Sequence, residues 1–171
     1  MKVLLLTLLL GLVCADLSTT DLSQFSGEWK TLYEASNNPV MTGENGPFRG
    51  LYRKINFDTG NGDASFDVYF RVNGVCVEQS IPATRIKNHV FLEKYEGTTI
   101  IELTYASETS LVGYFLNVDE NNEVSTITFM FGKSNHVNEP DFEKFKELTL
   151  EKNIPEANIV DFTNLDKCSG H

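Results

Sequence analysis

From residue 28 to residue 132 the chain alternates apolar and polar side chains in short runs separated by turn-forming residues. A two-residue period sends successive side chains to opposite faces of an extended chain, so the pattern predicts antiparallel strands with one face turned to a core. Eight such runs are legible, over 28–36, 48–57, 64–72, 75–84, 89–95, 98–106, 111–118 and 123–132. The segments between most of them are short and rich in turn chemistry, as at 58–63, Asn73-Gly74, Glu96-Gly97 and 119–122. Asn-Gly suits a type I′ hairpin because both central residues must take positive φ. Connections this short make each strand the neighbour of the next. Eight meandering strands lose their exposed edges by closing into an up-and-down barrel, so an all-β fold of that kind is expected. The first connection, 37–47, is long and rich in Asn, Gly and Pro, and it reads as a lid over one end of the barrel.

Over 141–152 the period lengthens, and Phe142, Phe145 and Leu148 or Thr149 fall on one helical face with charges opposite. Asn138 or Glu139 precedes this segment, Pro140 sits in its first turn, and Asn153 then Pro155 stop it. One amphipathic helix is therefore expected along the outside of the barrel, with Met130 and Phe142 in the contact between them. The tail, 158–162, can add a short strand.

The ends of the chain change the picture. Residues 1–15 carry a lysine, an apolar run and then the small residues Cys14 and Ala15, the pattern of a secretory signal peptide; 16–171 then form a single domain. The run is too short to span a bilayer. Of three cysteines, Cys14 leaves with the leader, and Cys76 and Cys168 most simply form a disulfide in an oxidising compartment; a reactive thiol is the competing reading. With 24 acidic against 14 basic residues the net charge is −10, which disfavours nucleic acid and anionic membrane as partners. The sequence has no Asn-x-Ser/Thr site for N-glycosylation.

Gly27-Glu28-Trp29 at the start of the first strand resembles the Gly-x-Trp motif of the lipocalins, in which tryptophan plugs the closed end of the barrel. The order of leader, eight strands, helix, tail strand and closing cysteine is also the family's order. Within it the chain is most similar to rodent odorant-binding, aphrodisin-like and urinary pheromone-carrying proteins, through 45–49, 69–76, 131–133 and 154–160. Three features depart from the pattern, the first being that the Thr-Asp-Tyr-like motif of many members, near the turn before the seventh strand, is not legible here. Lys133 stands where many members place an arginine over the tryptophan, and Cys76-Val-Glu-Gln-Ser80 replaces a frequent Cys-x-x-x-Cys. The resemblance implies that Trp29 is a structural stopper, with Gly27 letting the entering backbone pack closely.

Strand alternation then nominates an inward set. It comprises Phe48, Gly50 and Tyr52, Ile55 if a bulge intervenes, Phe66, Val68 and Phe70, Ile81, Ile101, Leu103 and Tyr105, Tyr114 and Leu116, and Ile127, Phe129 and Phe131. From composition alone these side chains could fill one another; the family resemblance implies a cavity that holds a small hydrophobic volatile ligand. The hydroxyls of Tyr52, Tyr105 and Tyr114 are the polar handles, although Tyr105 and Tyr114 could instead face out beneath the helix. His89, His136 and His171 lie far apart without metal-ligand spacing, and no nucleophile elbow or phosphate loop occurs, so neither catalysis, a metal nor a cofactor is expected. The expected function is a secreted carrier of odorants or pheromones, a monomer or weak homodimer. The alternatives are a chemosignal whose surface is read by a chemosensory receptor, and a carrier of a retinoid or fatty acid.

Overall fold

A computed structural model describes Leu17 and residues 20–58, 60–165 and 168. The expected leader, 1–15, lies outside the described residues. A one-turn 3₁₀ helix (Leu22–Phe25), capped by Asp21, leads into β1 (Gly27–Glu28), β2 (Lys30–Ser36), β3 (Leu51–Phe57), β4 (Ala64–Val72), β5 (Val75–Lys87), β6 (Val90–Glu93), β7 (Thr98–Ala106), β8 (Ser110–Val118) and β9 (Val124–Gly132). Helix α1 (Glu139–Glu151) follows, then a second 3₁₀ turn (Glu156–Asn158) and β10 (Val160–Asp161).

All pairings are antiparallel, and the strand order is β1-β3-β4-β5-β6-β7-β8-β9-β2-β10. The first run is broken at Trp29. Its leading part pairs with β3 and its trailing part with β9, so one stretch of chain reaches both ends of the curled sheet, with β10 added outside β2. That break and the tail strand account for ten strands where the pattern showed eight runs. The hairpin at Asn73-Gly74 has φ of 51° and 80°, as the Asn-Gly signal requires, and Glu96-Gly97 takes 51° and 97°. The second run, β3, starts at Leu51 and not at Phe48, because the Phe48 and Arg49 amides bond back into the loop, to Met41 O (2.8 Å) and Gly46 O (3.2 Å).

Two apolar layers result, one on each face of the sheet. The inner layer gathers Trp29, Phe48, Tyr52, Phe66, Phe91, Phe115, Phe129 and Phe131 with aliphatic neighbours. The outer layer packs Phe145 and Leu148 of α1 on Leu32, Val112 and Met130, with Phe142 beside them. Asn138 caps α1, its side chain accepting from Asp141 N at 3.2 Å, and Asn153 ends it with φ 59°. A buried bond between Thr149 and Thr128 hydroxyls (2.8 Å) pins the helix to β9. A third cluster, Leu51, Phe162 and Cys168, lies on the outside of β3, where Cys168 is bonded to Cys76.

Candidate functional site

The closed end is built around Trp29, 1% exposed. Its indole Nε1 donates to Phe25 O at 2.7 Å, and its amide donates to Arg53 O at 2.9 Å. Lys133 Nζ stands 3.8 Å from the ring centroid and donates to Glu28 O at 3.2 Å. Gly27 is required for a reason other than close packing: its φ is +138°, whereas an added Cβ would meet only Lys133 Nζ, at 3.6 Å.

Above this plug the inward side chains meet ring to ring. Phe129 lies between Phe131 (centroids 4.4 Å) and Phe115 (4.7 Å), and Tyr52 contacts Phe131 at 4.5 Å. Phe48 reaches Phe115 at 5.6 Å and meets Tyr95 edge-on at 5.4 Å. Phe91 joins Phe57 at 5.7 Å. Gly113 makes room for this packing, since a Cβ there would come within 2.7 Å of Phe129. The 37–47 loop folds over the far end: Met41 packs on the inner layer, Tyr95 donates its hydroxyl to Pro47 O, and Arg49 Nη1 donates to Thr42 O at 2.9 Å. Gly46 is forced by this fold, because an added Cβ would lie 2.4 Å from Val40 O.

The structure brings together all but three of the side chains nominated from the sequence; Phe70 is a partly buried member at the rim. The exceptions are Tyr105, Tyr114 and Leu116, which point outward. A bulge between Leu103 and Tyr105 flips the phase of β7, so Ala106 faces in and Tyr105 donates to Asp141 of α1 at 2.8 Å. On β8 the inner set is Leu111, Gly113 and Phe115, while Tyr114 donates to Glu102 and lies beneath Lys152. Both faces of β8 are apolar because α1 covers the outer one, and alternation then cannot fix the phase. The bulge expected before Ile55 is present, between Tyr52 and Lys54.

Sequence reasoning missed the polar members of the interior. Glu34 lies directly opposite Phe129, and opposed residues share a face, so its carboxyl enters the barrel; it is 0% exposed. A bulge between Thr31 and Tyr33 hid this phase. Glu93 alternates with inward Phe91 and is 3% exposed, a placement that was legible from period two. Asn117, 0% exposed, alternates with Phe115 and donates to Thr99 Oγ1 and Glu96 O, both at 3.0 Å. Burial pushes the Glu34 carboxyl well above its usual range, against a smaller opposing pull from Arg49, and pushes Glu93 up to about 8. The Tyr52 hydroxyl is likewise raised, by burial first and then by Glu93, Glu34 and Tyr95.

The sequence model of the Lipocalin / cytosolic fatty-acid binding protein family matches residues 26–166. The chain is 35% identical to an odorant-binding protein of Bos taurus over 142 residues, 83% of this chain and 89% of the bovine one. A dog lipocalin allergen superposes with TM-score 0.82 at 40% identity, covering 85% of this chain and 98% of the dog chain. Bovine odorant-binding protein in complex with undecanal matches with TM-score 0.63 at 34% identity, over 84% of this chain and 92% of the other.

Proposed function

The chain belongs to the lipocalin and cytosolic fatty-acid binding protein family, and on that premise we propose that it is a secreted carrier that reversibly binds small hydrophobic volatile molecules inside its barrel. The observation that carries the reading is the inward aromatic wall of Phe48, Tyr52, Phe115, Phe129 and Phe131, closed below by Trp29 and covered above by the 37–47 loop. Apolar surface of this kind takes a guest out of water at about 25 cal/mol per Å² buried. The rings touch one another, so a guest enters by parting ring contacts, chiefly Phe48 from Tyr95 beneath the loop. Short, slender molecules need the least displacement. The bovine relative solved with undecanal sets the scale of ligand to test first.

Release from the cell is supported by the apolar leader pattern of 1–15 and by the disulfide between Cys76 and Cys168. The direct experiment is displacement of 1-aminoanthracene by aldehydes, alcohols and fatty acids of increasing length. Saturable displacement by medium-chain odorants is expected; no uptake of probe, with no small molecule held in native mass spectra of secreted material, overturns the carrier reading.

A further inference from the structure

The upper half of the barrel carries hydrogen-bond acceptors that the protein leaves without donors. Neither carboxyl oxygen of Glu34 has a partner among the described residues, nor has Glu93 Oε2 or Asn117 Oδ1. All three side chains leave their strands on the inner face and are at least nine-tenths buried. Each unmet acceptor costs about 1–3 kcal/mol in an apolar interior, so four in one compartment is a specific chemical demand.

Nearby donors are already engaged. The Tyr95 hydroxyl goes to Pro47 O, the Asn117 amide to Thr99 Oγ1 and Glu96 O, and Arg49 Nη1 to Thr42 O, with its guanidinium 5.3 Å over Phe162. What lies beside these oxygens is the Tyr52 hydroxyl and, for Glu34, the pull of Arg49; no ammonium group among the described residues bonds them. An aldehyde or ketone brings only acceptors: it takes one hydrogen bond from a neutral carboxyl and supplies no donor to the remaining oxygens. A protonated amine brings one charge and up to three N–H donors on a compact head, while its hydrocarbon tail lies against Phe48, Tyr52 and Phe115.

We propose that Glu34, assisted by Glu93 and Asn117, forms an ammonium-binding subsite inside the barrel, so that the preferred guests are small hydrophobic amines. This rests on the carrier reading. Glu34 and Glu93 both act on Tyr52 and Tyr95, Arg49 acts on Glu34, and Glu96 at the strand end acts on Tyr95. Burial raises both carboxyls toward the protonated form before a guest arrives, Glu93 to about 8. An ammonium guest therefore binds with loss of one carboxyl proton to solvent, leaving an ion pair, and its affinity rises with pH until the amine itself deprotonates.

Isothermal titration of the folded secreted chain with octan-1-amine and octan-1-ol, in buffers of different ionisation enthalpy, tests this. At neutral pH the amine should bind about tenfold or more tightly than the alcohol, with release of about one proton. The amine should weaken between about pH 8 and about pH 5. In Glu34→Gln the amine-to-alcohol ratio should collapse and proton release disappear; Glu93→Gln should lower the ratio less. Equal affinities without proton release in the unmodified chain overturn the amine subsite and leave the carrier reading standing, as does a ratio retained in both glutamine variants. Failure of both molecules to bind overturns the subsite together with the carrier reading.

Discussion

Lys133 Nζ stands 3.8 Å over the Trp29 ring and bonds the carbonyl of Glu28, so one side chain joins the end of β9 to the start of the barrel. Burial lowers the lysine's proton affinity, against a smaller pull from Glu28, yet the ammonium keeps the ring face covered. Lys133→Ala should cost about 1 kcal/mol, the cation–π contact with its hydrogen bond. Trp29→Ala should cost about 3–5 kcal/mol because nothing else fills the closed end. Urea unfolding followed by far-ultraviolet circular dichroism reads both, and a Trp29→Ala loss below that of Lys133→Ala would contradict the plug.

The orientations of the tyrosines are separable by binding. Tyr105→Phe and Tyr114→Phe remove hydroxyls bonded to Asp141 and Glu102 outside the barrel, so probe affinity should stay constant. Phe129→Trp adds a ring atom set where Phe131 and Phe115 already press at 4.4 and 4.7 Å, so it should weaken probe binding about tenfold or more. Titration of 1-aminoanthracene fluorescence against all three variants decides; a fall for the tyrosine variants equal to that of Phe129→Trp would reverse the assignment.

The Cys76–Cys168 bond closes a separation of 92 residues and sits with Leu51 and Phe162 on the outer face. Constraint of the unfolded chain over such a loop is worth about 4 kcal/mol, so reduction should lower the melting temperature by about 10 °C. Ligand affinity should change little, since the bond does not touch the inner layer. Calorimetry and probe titration with and without reductant check the split.

Glu93 gives stability a pH slope. The folded carboxyl keeps its proton up to about 8, whereas the unfolded one releases it near 4.5. Between those values the native state binds more protons, so stability falls as pH rises. Asp141 runs the other way. Burial raises it, but hydrogen bonds led by Thr109 and Tyr105 bring it below 3.8, so its contribution is present above that value and lost on acidification. Urea midpoints from pH 4 to about 9 should fall toward the alkaline side, and Glu93→Gln should flatten that limb.

Much of the architecture was legible because the sheet is amphipathic where it matters. Asn73-Gly74 announced its hairpin, Phe142, Phe145 and Leu148 announced the helix face, and Gly27-Glu28-Trp29 announced the plug. The site was less legible. Period two assumes an unbroken strand with one wet face, and the bulges at Thr31/Tyr33 and Leu103/Tyr105 broke the first condition. Helix α1 removed the second for Tyr114.

The sequence by itself determined the meander from β3 to β9 and the helix, because short turns and a 3.6-residue period are local signals, and it made Cys76 with Cys168 the simplest pair. Only the tertiary structure decided which face of β2, β7 and β8 enters the barrel. It thereby put Glu34 and Asn117 inside and Tyr105 outside. That outcome depends on where bulges shift register and on which outer face a distant helix covers, and neither is a property of the strand that carries the residue.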